Sequence, residues 1–174
     1  ADFTRHVIQK YGINEVKQWT FRCWNEPDGR SFWYKGDLNE YFKLYDYSTS
    51  AVKKACPKAK VGGPTTTDPR NADAADFYRA FLQHCLDGTN YVTGKKGSHL
   101  DYITFHAKGT PKLTDGHIQM NINLQLQSIA KGFEIVASFP EFKNLPVIIG
   151  ESDPEGCAAC AGGSYAYRNG TVYS

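Results

Sequence analysis

The sequence predicts an α/β protein built on a parallel sheet. Strand-like and helix-like apolar patterns alternate along the chain. The strands are short and almost wholly apolar, as in sheets covered on both faces. Successive strands are separated by one helix each, which calls for right-handed crossovers between parallel neighbours. The 174 residues suffice for one domain with a sizeable core.

The elements follow in order. "DFTRHVIQKYG" puts Phe3, Val7, Ile8 and Tyr11 on one helical face and stops at Gly12. "WTFRCW" reads as a strand. "DLNEYFKLYDYSTSAVKKACP" reads as a helix, with Asp37 and Glu40 spaced as a capping box. Its apolar stripe is Leu38, Tyr41, Phe42, Tyr45, Val52 and Ala55, and Pro57 stops it. "AKVGG" is a short buried strand. "DAADFYRAFLQHCLDG" is a helix with Phe77, Ala80, Phe81 and Cys85 inward and Gly88 as its stop. "LDYITF" is a strand. "GHIQMNINLQLQSIAKGFEIVASFP" reads as one long helix carrying Ile118, Ile122, Ile129, Phe133 and Val136. "PVIIG" is the last strand, and the Gly-rich stretch from Glu151 to Ser174 reads as a loop. Two architectures accommodate this order: an open doubly wound sheet, or part of a (β/α)8 barrel. No G-x-G-x-x-G follows any strand, and "VGGP" lacks both the third Gly and the helix start of a dinucleotide fingerprint.

Composition narrows the function classes. A net charge of +2 provides no basic field for nucleic acid. No run of about eighteen apolar residues exists to span a membrane. Aromatic residues make up 14% of the chain, enough both to pack a core and to line a sugar-binding cleft. The chain begins "ADFTRH", without an initiator Met, a basic n-region or an apolar signal core, as expected of a processed chain or an excised piece. Five cysteines cannot all pair. Cys23, Cys56 and Cys85 fall in strand or helix patterns and read as buried thiols. Cys157 and Cys160, in "CAAC", suit a disulfide, a redox pair or half a zinc site. No second pair at zinc-finger spacing accompanies them, which argues against structural zinc. No cofactor or metal is called for. The compartment stays open, with extracellular, periplasmic or lysosomal placement favoured over cytoplasmic.

In parallel α/β folds, functional groups stand just past the carboxyl ends of strands. The first strand delivers Asn25 and Glu26 there, and the second delivers Gly62, Gly63 and Pro64. The third delivers His106 and Lys108, and the fourth Glu151, Ser152 and Asp153. Two Glu residues thus occupy equivalent positions on two strands, and a carboxylate pair in one site is what glycoside hydrolysis requires. Each residue also has an ordinary structural reading: a loop acid for either Glu, a core histidine for His106, a surface lysine for Lys108. The convergence of strand ends favours a common site. His6, His84, His99 and His117 are assigned no function.

"WNEPD", "GGP", "LDYITFHAKG" and "IIGESDP", in that order, resemble the family 39 glycoside hydrolases, which contain β-xylosidases and α-L-iduronidases. "HCLDGTNYVTGKKGSHLDYITFHAKG" is especially similar to the iduronidase branch. The resemblance runs from Trp19 to Ser174. It implies a fragment of a (β/α)8 barrel covering about strands four to seven, with residues 1–174 forming part of a retaining catalytic domain. It also implies that Glu26 is the acid/base, Glu151 the nucleophile, and carbohydrate the partner. On the same resemblance Asn25 would donate to the sugar 2-hydroxyl. His106 would orient Glu151 or touch the sugar, Lys108 would lie near a uronate carboxylate, and Arg168 would be a second carboxylate partner. A β-xylosidase-like enzyme is the favoured reading, with a uronidase and a non-hydrolytic carbohydrate-binding fragment as alternatives. A nucleotide-dependent open-sheet enzyme is disfavoured by the missing phosphate loop. Exposed sheet edges would make the isolated chain self-associate, and the missing supporting strands would leave it with little turnover.

Overall fold

The computed structural model describes residues 1–29 and 37–153. Arg168, Cys157 and Cys160 lie outside the described residues. Helices α1 (Asp2–Tyr11) and α2 (Ile13–Val16) lead into strand β1 (Thr20–Arg22). Then come α3 (Leu38–Ala55), β2 (Lys60–Thr66), α4 (Ala72–Asp87) and β3 (Tyr102–His106). A hairpin of β4 (Lys112–Thr114) and β5 (His117–Gln119) precedes α5 (Ile122–Ala137), a 3-10 turn (Pro140–Phe142) and β6 (Val147–Glu151).

The main sheet has the order β1-β2-β3-β6, all parallel, with Thr20 opposite Lys60, Gly62 opposite Tyr102 and Ile103 opposite Val147. Strands that pair in chain order, each joined to the next by a crossover, form an arc of a (β/α)8 barrel rather than a doubly wound sheet, whose order reverses. The core lies on the helix side. Tyr41 and Tyr45 of α3, Phe77, Tyr78, Phe81 and Leu82 of α4, and Ile135 of α5 close over Ile103 and Phe105 of β3. Because alternate strand residues face opposite ways, Tyr102, Thr104 and His106 point to the other face. That face is more polar than the apolar look of the strands suggests.

The N-cap half of the box at the start of α3 forms, with the Asp37 carboxylate accepting the Glu40 N–H at 3.0 Å, while the Glu40 carboxylate accepts from the Lys43 ammonium at 2.6 Å. His84 belongs to the framework. Its Nε2 lies 3.1 Å from the buried Asp46 carboxylate, which also accepts the Ser98 hydroxyl at 2.5 Å and ties the loop before β3 to α3. Cys56 and Cys85 are buried free thiols, and Cys23 is half-buried.

Three expectations are corrected. The long helix over residues 116–140 begins only at Ile122, and the residues before it include the β4–β5 hairpin, which pairs Thr114 with His117. Asp115 and Gly116 both adopt positive φ, 50° and 76°, the two-residue Asp-Gly turn that joins hairpin strands. His117 is therefore on a strand. In α1 the buried residues are Thr4 and Val7, while Phe3 and Tyr11 are 67% and 50% exposed. Tyr11 packs on Trp19 instead. Finally, β2 runs on to Thr66, beyond the predicted Gly63.

Gly132 brings α5 against β3. A Cβ there would stand 2.3 Å from Cζ of Phe105, a ring with no exposure. Gly132→Ala is expected to cost stability near the top of the about 1–3 kcal/mol range for overpacked cores. That exceeds the roughly 1 kcal/mol that Ala gains over Gly in a helix. A lowered urea midpoint is the expected result, and an unchanged or raised one would contradict this packing.

Candidate active site

All the charged groups of the site come from the carboxyl ends of the strands. The chain leaves β1 through Trp24 and Glu26, both at positive φ (66° and 51°). Glu26 donates its N–H to the carbonyl of Thr65 at 3.0 Å, and Gly29 returns an N–H to the Glu26 carbonyl at 3.0 Å. The resulting turn lifts the Glu26 carboxylate to the end of β3. There its Oε1 stands 2.8 Å from Nδ1 of His106. The same Nδ1 is 3.7 Å from Oε2 of Glu151. One oxygen or nitrogen from each of Glu26, His106 and Glu151 lies within 4.8 Å of the others.

A register shift between Phe105 and His106 sets His106 opposite Glu151 rather than Gly150. The bulge re-aims side chains at the strand ends, a common device beside active sites. The strand ends are joined further on: Ala107 donates its N–H to the Glu151 carbonyl at 3.0 Å, and Gly109 to the Asp153 carbonyl at 2.8 Å. From α5, Gln125 reaches both sides, donating to the Ser152 hydroxyl at 3.0 Å and the Ala107 carbonyl at 3.4 Å. Gly150 leaves room beneath. A Cβ there would meet Nη1 of Arg22 at 2.8 Å and Oγ1 of Thr104 at 2.9 Å.

Lys108 sits 2.6 Å from Oε2 of Glu151 and 3.7 Å from Oδ2 of Asp153. The hydrogen bond from Lys108 holds the Glu151 carboxyl below the ordinary glutamate range, against the opposing pull of burial. The positive charges of Lys108 and Arg22 act in the same direction. For Lys108, burial alone would draw the ammonium down. The bond to Glu151 and the negative charges of Glu151, Asp153 and Glu26 outweigh it and hold the ammonium above its usual value. Glu151 is therefore kept ionised, and Lys108 charged. Glu26, His106 and Glu151 have the donor types of a metal site. A divalent ion among them would have to displace the ammonium that already bonds Glu151.

The structure thus brings together Glu26, His106, Lys108 and Glu151. Asn25 is exposed on the turn beside Glu26. His106 bonds Glu26 more closely than Glu151, and Lys108 is engaged by Glu151 and Asp153. Two contributors carried no separate signal in the sequence. Arg22 lies inside an apolar-looking strand. Asp28 closes the "WNEPD" string without a periodic pattern to mark it.

The chain matches the profile described as Glycosyl hydrolases family 39 over residues 1–166. The chain belongs to that family. It is 32% identical over 158 residues to the α-L-iduronidase of Homo sapiens, covering 88% of this chain and 22% of that protein. It is 48% identical over 105 residues to a β-xylosidase of Caldicellulosiruptor saccharolyticus, covering 60% of this chain and 19% of that protein. Among solved structures, the bacterial orthologue of human α-L-iduronidase superposes with a TM-score of 0.71 at 24% identity, over 88% of this chain and 25% of that one. A monomeric β-xylosidase from Caulobacter crescentus CB15 gives 0.67 at 28% identity, over 88% and 29%. The family 39 chain described here spans about a fifth of the length of the curated relatives it matches. None of its described helices is long and apolar enough to cross a membrane.

Proposed function

We propose that residues 1–174 are part of the catalytic domain of a retaining glycoside hydrolase acting on carbohydrate, with Glu151 as nucleophile and Glu26 as acid/base. The observation that carries this reading is the closeness of the two carboxylates, which have oxygens within 4.8 Å of each other. Retaining enzymes hold their carboxyl groups about 5–5.5 Å apart, whereas inverting enzymes leave about 6.5–9.5 Å for a water. Glu151, held ionised by Lys108, attacks the anomeric carbon and forms a glycosyl ester. Glu26 protonates the departing oxygen, then takes a proton from the water that hydrolyses the ester. An N–H at Nδ1 of His106 donated to Oε1 of Glu26 leaves the other oxygen free to carry the transferred proton. Asn25, exposed beside Glu26, would donate to the sugar 2-hydroxyl.

The substrate we favour is a neutral β-xyloside. Lys108 supports it, because its ammonium is already neutralised by Glu151 and Asp153. The 48% identity to a β-xylosidase across the matched segment supports it too. A uronide is the second reading. It is favoured by the broader match to α-L-iduronidases and by a lysine that could turn to a sugar carboxylate as a charge-assisted donor.

The test uses the full-length enzyme. NMR of the first product formed from an aryl β-xyloside should show retained anomeric configuration, and an inverted product would reject the mechanism. Specificity constants for an aryl xyloside and an aryl iduronide, with the parent and with Lys108→Met, separate the sugars. A parent preference for the iduronide that the substitution abolishes would establish the uronidase. For a neutral xyloside, the variant keeps its preference and its acid limb moves. Activity needs ionised Glu151, so it is lost as pH falls through that pKa. In the parent this limb lies below the ordinary Glu value of about 4.3, because Lys108 favours the carboxylate. With Met the limb should shift to higher pH.

A further inference from the structure

We propose that Asp28 is a positioning residue for Glu26: its carboxylate staples the turn after β1 to the end of β2 and so sets where the Glu26 carboxyl stands. The proposal rests on the reading of Glu26 as the acid/base. Oδ1 of Asp28 accepts the backbone N–H of Thr67 at 2.9 Å, and Oδ2 accepts the Thr67 hydroxyl. Two residues earlier on each segment, Glu26 donates its own N–H to the Thr65 carbonyl at 3.0 Å. Residues 26–28 and 65–67 are therefore laced together at both ends.

Both segments need that lacing. Glu26 and Thr65 sit at φ of 51° and 63°, left-handed backbone that residues with a Cβ hold only where their surroundings enforce it. The end of β2 lacks full support from β3, because the register shifts between Pro64 and Thr66 and leaves Thr65 unpaired in that ladder. The end of that bulged strand is instead held from the β1 side, by Asp28. Glu26 is then fixed at two points, its backbone by the β2 end and its carboxyl tip by Nδ1 of His106 at 2.8 Å. With Asp28 removed, the turn's described bonds to its neighbours would shrink to the Glu26 tip contact with His106 and the one backbone bond from Glu26 to Thr65. Asp28 is half-buried, with its carboxylate on Thr67. Burial raises its own proton affinity, against the bonds from Thr67, and the charge of Glu26 adds to the rise. Neither carboxylate is a loose surface acid.

Proton donation demands placement of the acid, and a misplacement of about 1 Å can cost on the order of 100-fold. The experiment measures kcat/KM of the full-length enzyme on two aryl glycosides. One has a poor leaving group that must be protonated, and the other an activated dinitrophenolate that leaves unaided. Asp28→Ala should lower kcat/KM by about 10–100-fold on the first and hardly at all on the second. Asp28→Asn keeps an acceptor for the Thr67 N–H and should recover most of the loss. In a Glu26→Ala background, Asp28→Ala should cost nothing more on the poor leaving group. Equal losses on both substrates, full additivity with Glu26→Ala, or no loss at all would overturn the proposal. If Asp28→Ala does not fold, Thr67→Val removes only the hydroxyl arm, and the same leaving-group dependence, weaker, is required of it. Glu26→Ala by itself distinguishes the two levels. If it shows no leaving-group dependence, the acid/base reading falls and takes Asp28 with it. If it does, uniform losses in the Asp28 variant sink only the positioning role.

Discussion

Glu151→Ala in the full-length enzyme is expected to lower kcat/KM on every glycoside, including those with the best leaving groups, by on the order of 10⁴–10⁶-fold, as when other nucleophilic centres are removed. Glu151 stands at the end of β6, 2.6 Å from the Lys108 ammonium, and is held as a carboxylate by it. Among the described residues no other carboxylate is placed to substitute. Glu26 is engaged by His106, and the Asp153 carboxylate lies 3.7 Å from the Lys108 ammonium. Sodium azide should restore part of the turnover, because a small anion fits the volume freed by the side chain. The glycosyl azide formed should have inverted configuration, since one displacement replaces two. Residual activity above about a hundredth of the parent's, measured on protein free of wild-type carry-over, would be far outside this range and would remove Glu151 from the nucleophile's role.

Glu26→Ala should behave differently. On a poor leaving group the expected loss is about 10²–10⁴-fold, the range for a positioned proton donor. On an activated aryl glycoside kcat/KM should stay near the parent value, while kcat falls because the water that attacks the ester loses its base. Azide should then accelerate turnover and give a product of retained configuration, because it intercepts an ester already formed on Glu151. Opposite stereochemistry in the two azide products assigns the two carboxylates individually. If both variants gave the same configuration, the assignment of acid and nucleophile between Glu26 and Glu151 would fail. His106 makes this separation physically reasonable. Its Nδ1 lies 2.8 Å from Glu26 and 3.7 Å from Glu151, so it grips the proposed acid/base, while the lysine holds the proposed nucleophile.

Much of the fold was legible because its signals are local. The stripe of α3 and its Asp37 cap depend on residues three and four apart. Apolar strands separated by single helices leave little choice but parallel crossovers. The α5 region failed for an equally local reason. Ile118 and Ile122 fit a helical period, but Asp115-Gly116 favours a hairpin turn, and two adjacent positive φ values cannot sit inside a right-handed helix. Phe3 and Tyr11 share a face with Val7, yet burial on that face depends on what packs against it. That is a property of the assembled sheet, not of the helix.

The sequence by itself determined the chemistry on offer: two glutamates, a histidine and a lysine, each just past the end of a strand that parallel pairing must bring to one side. Which group touches which was decided only by tertiary structure. The bulge at His106 sets it opposite Glu151, the left-handed turn at Glu26 carries that carboxylate to Nδ1 of the same histidine, and Lys108 turns to Glu151 and Asp153. The reason is one of scale. Strand order follows from patterns spanning several residues, whereas a catalytic hydrogen bond is made or lost within about half an ångström. That precision comes from register shifts and backbone twists to which neighbouring strands contribute together. No short stretch of sequence encodes them.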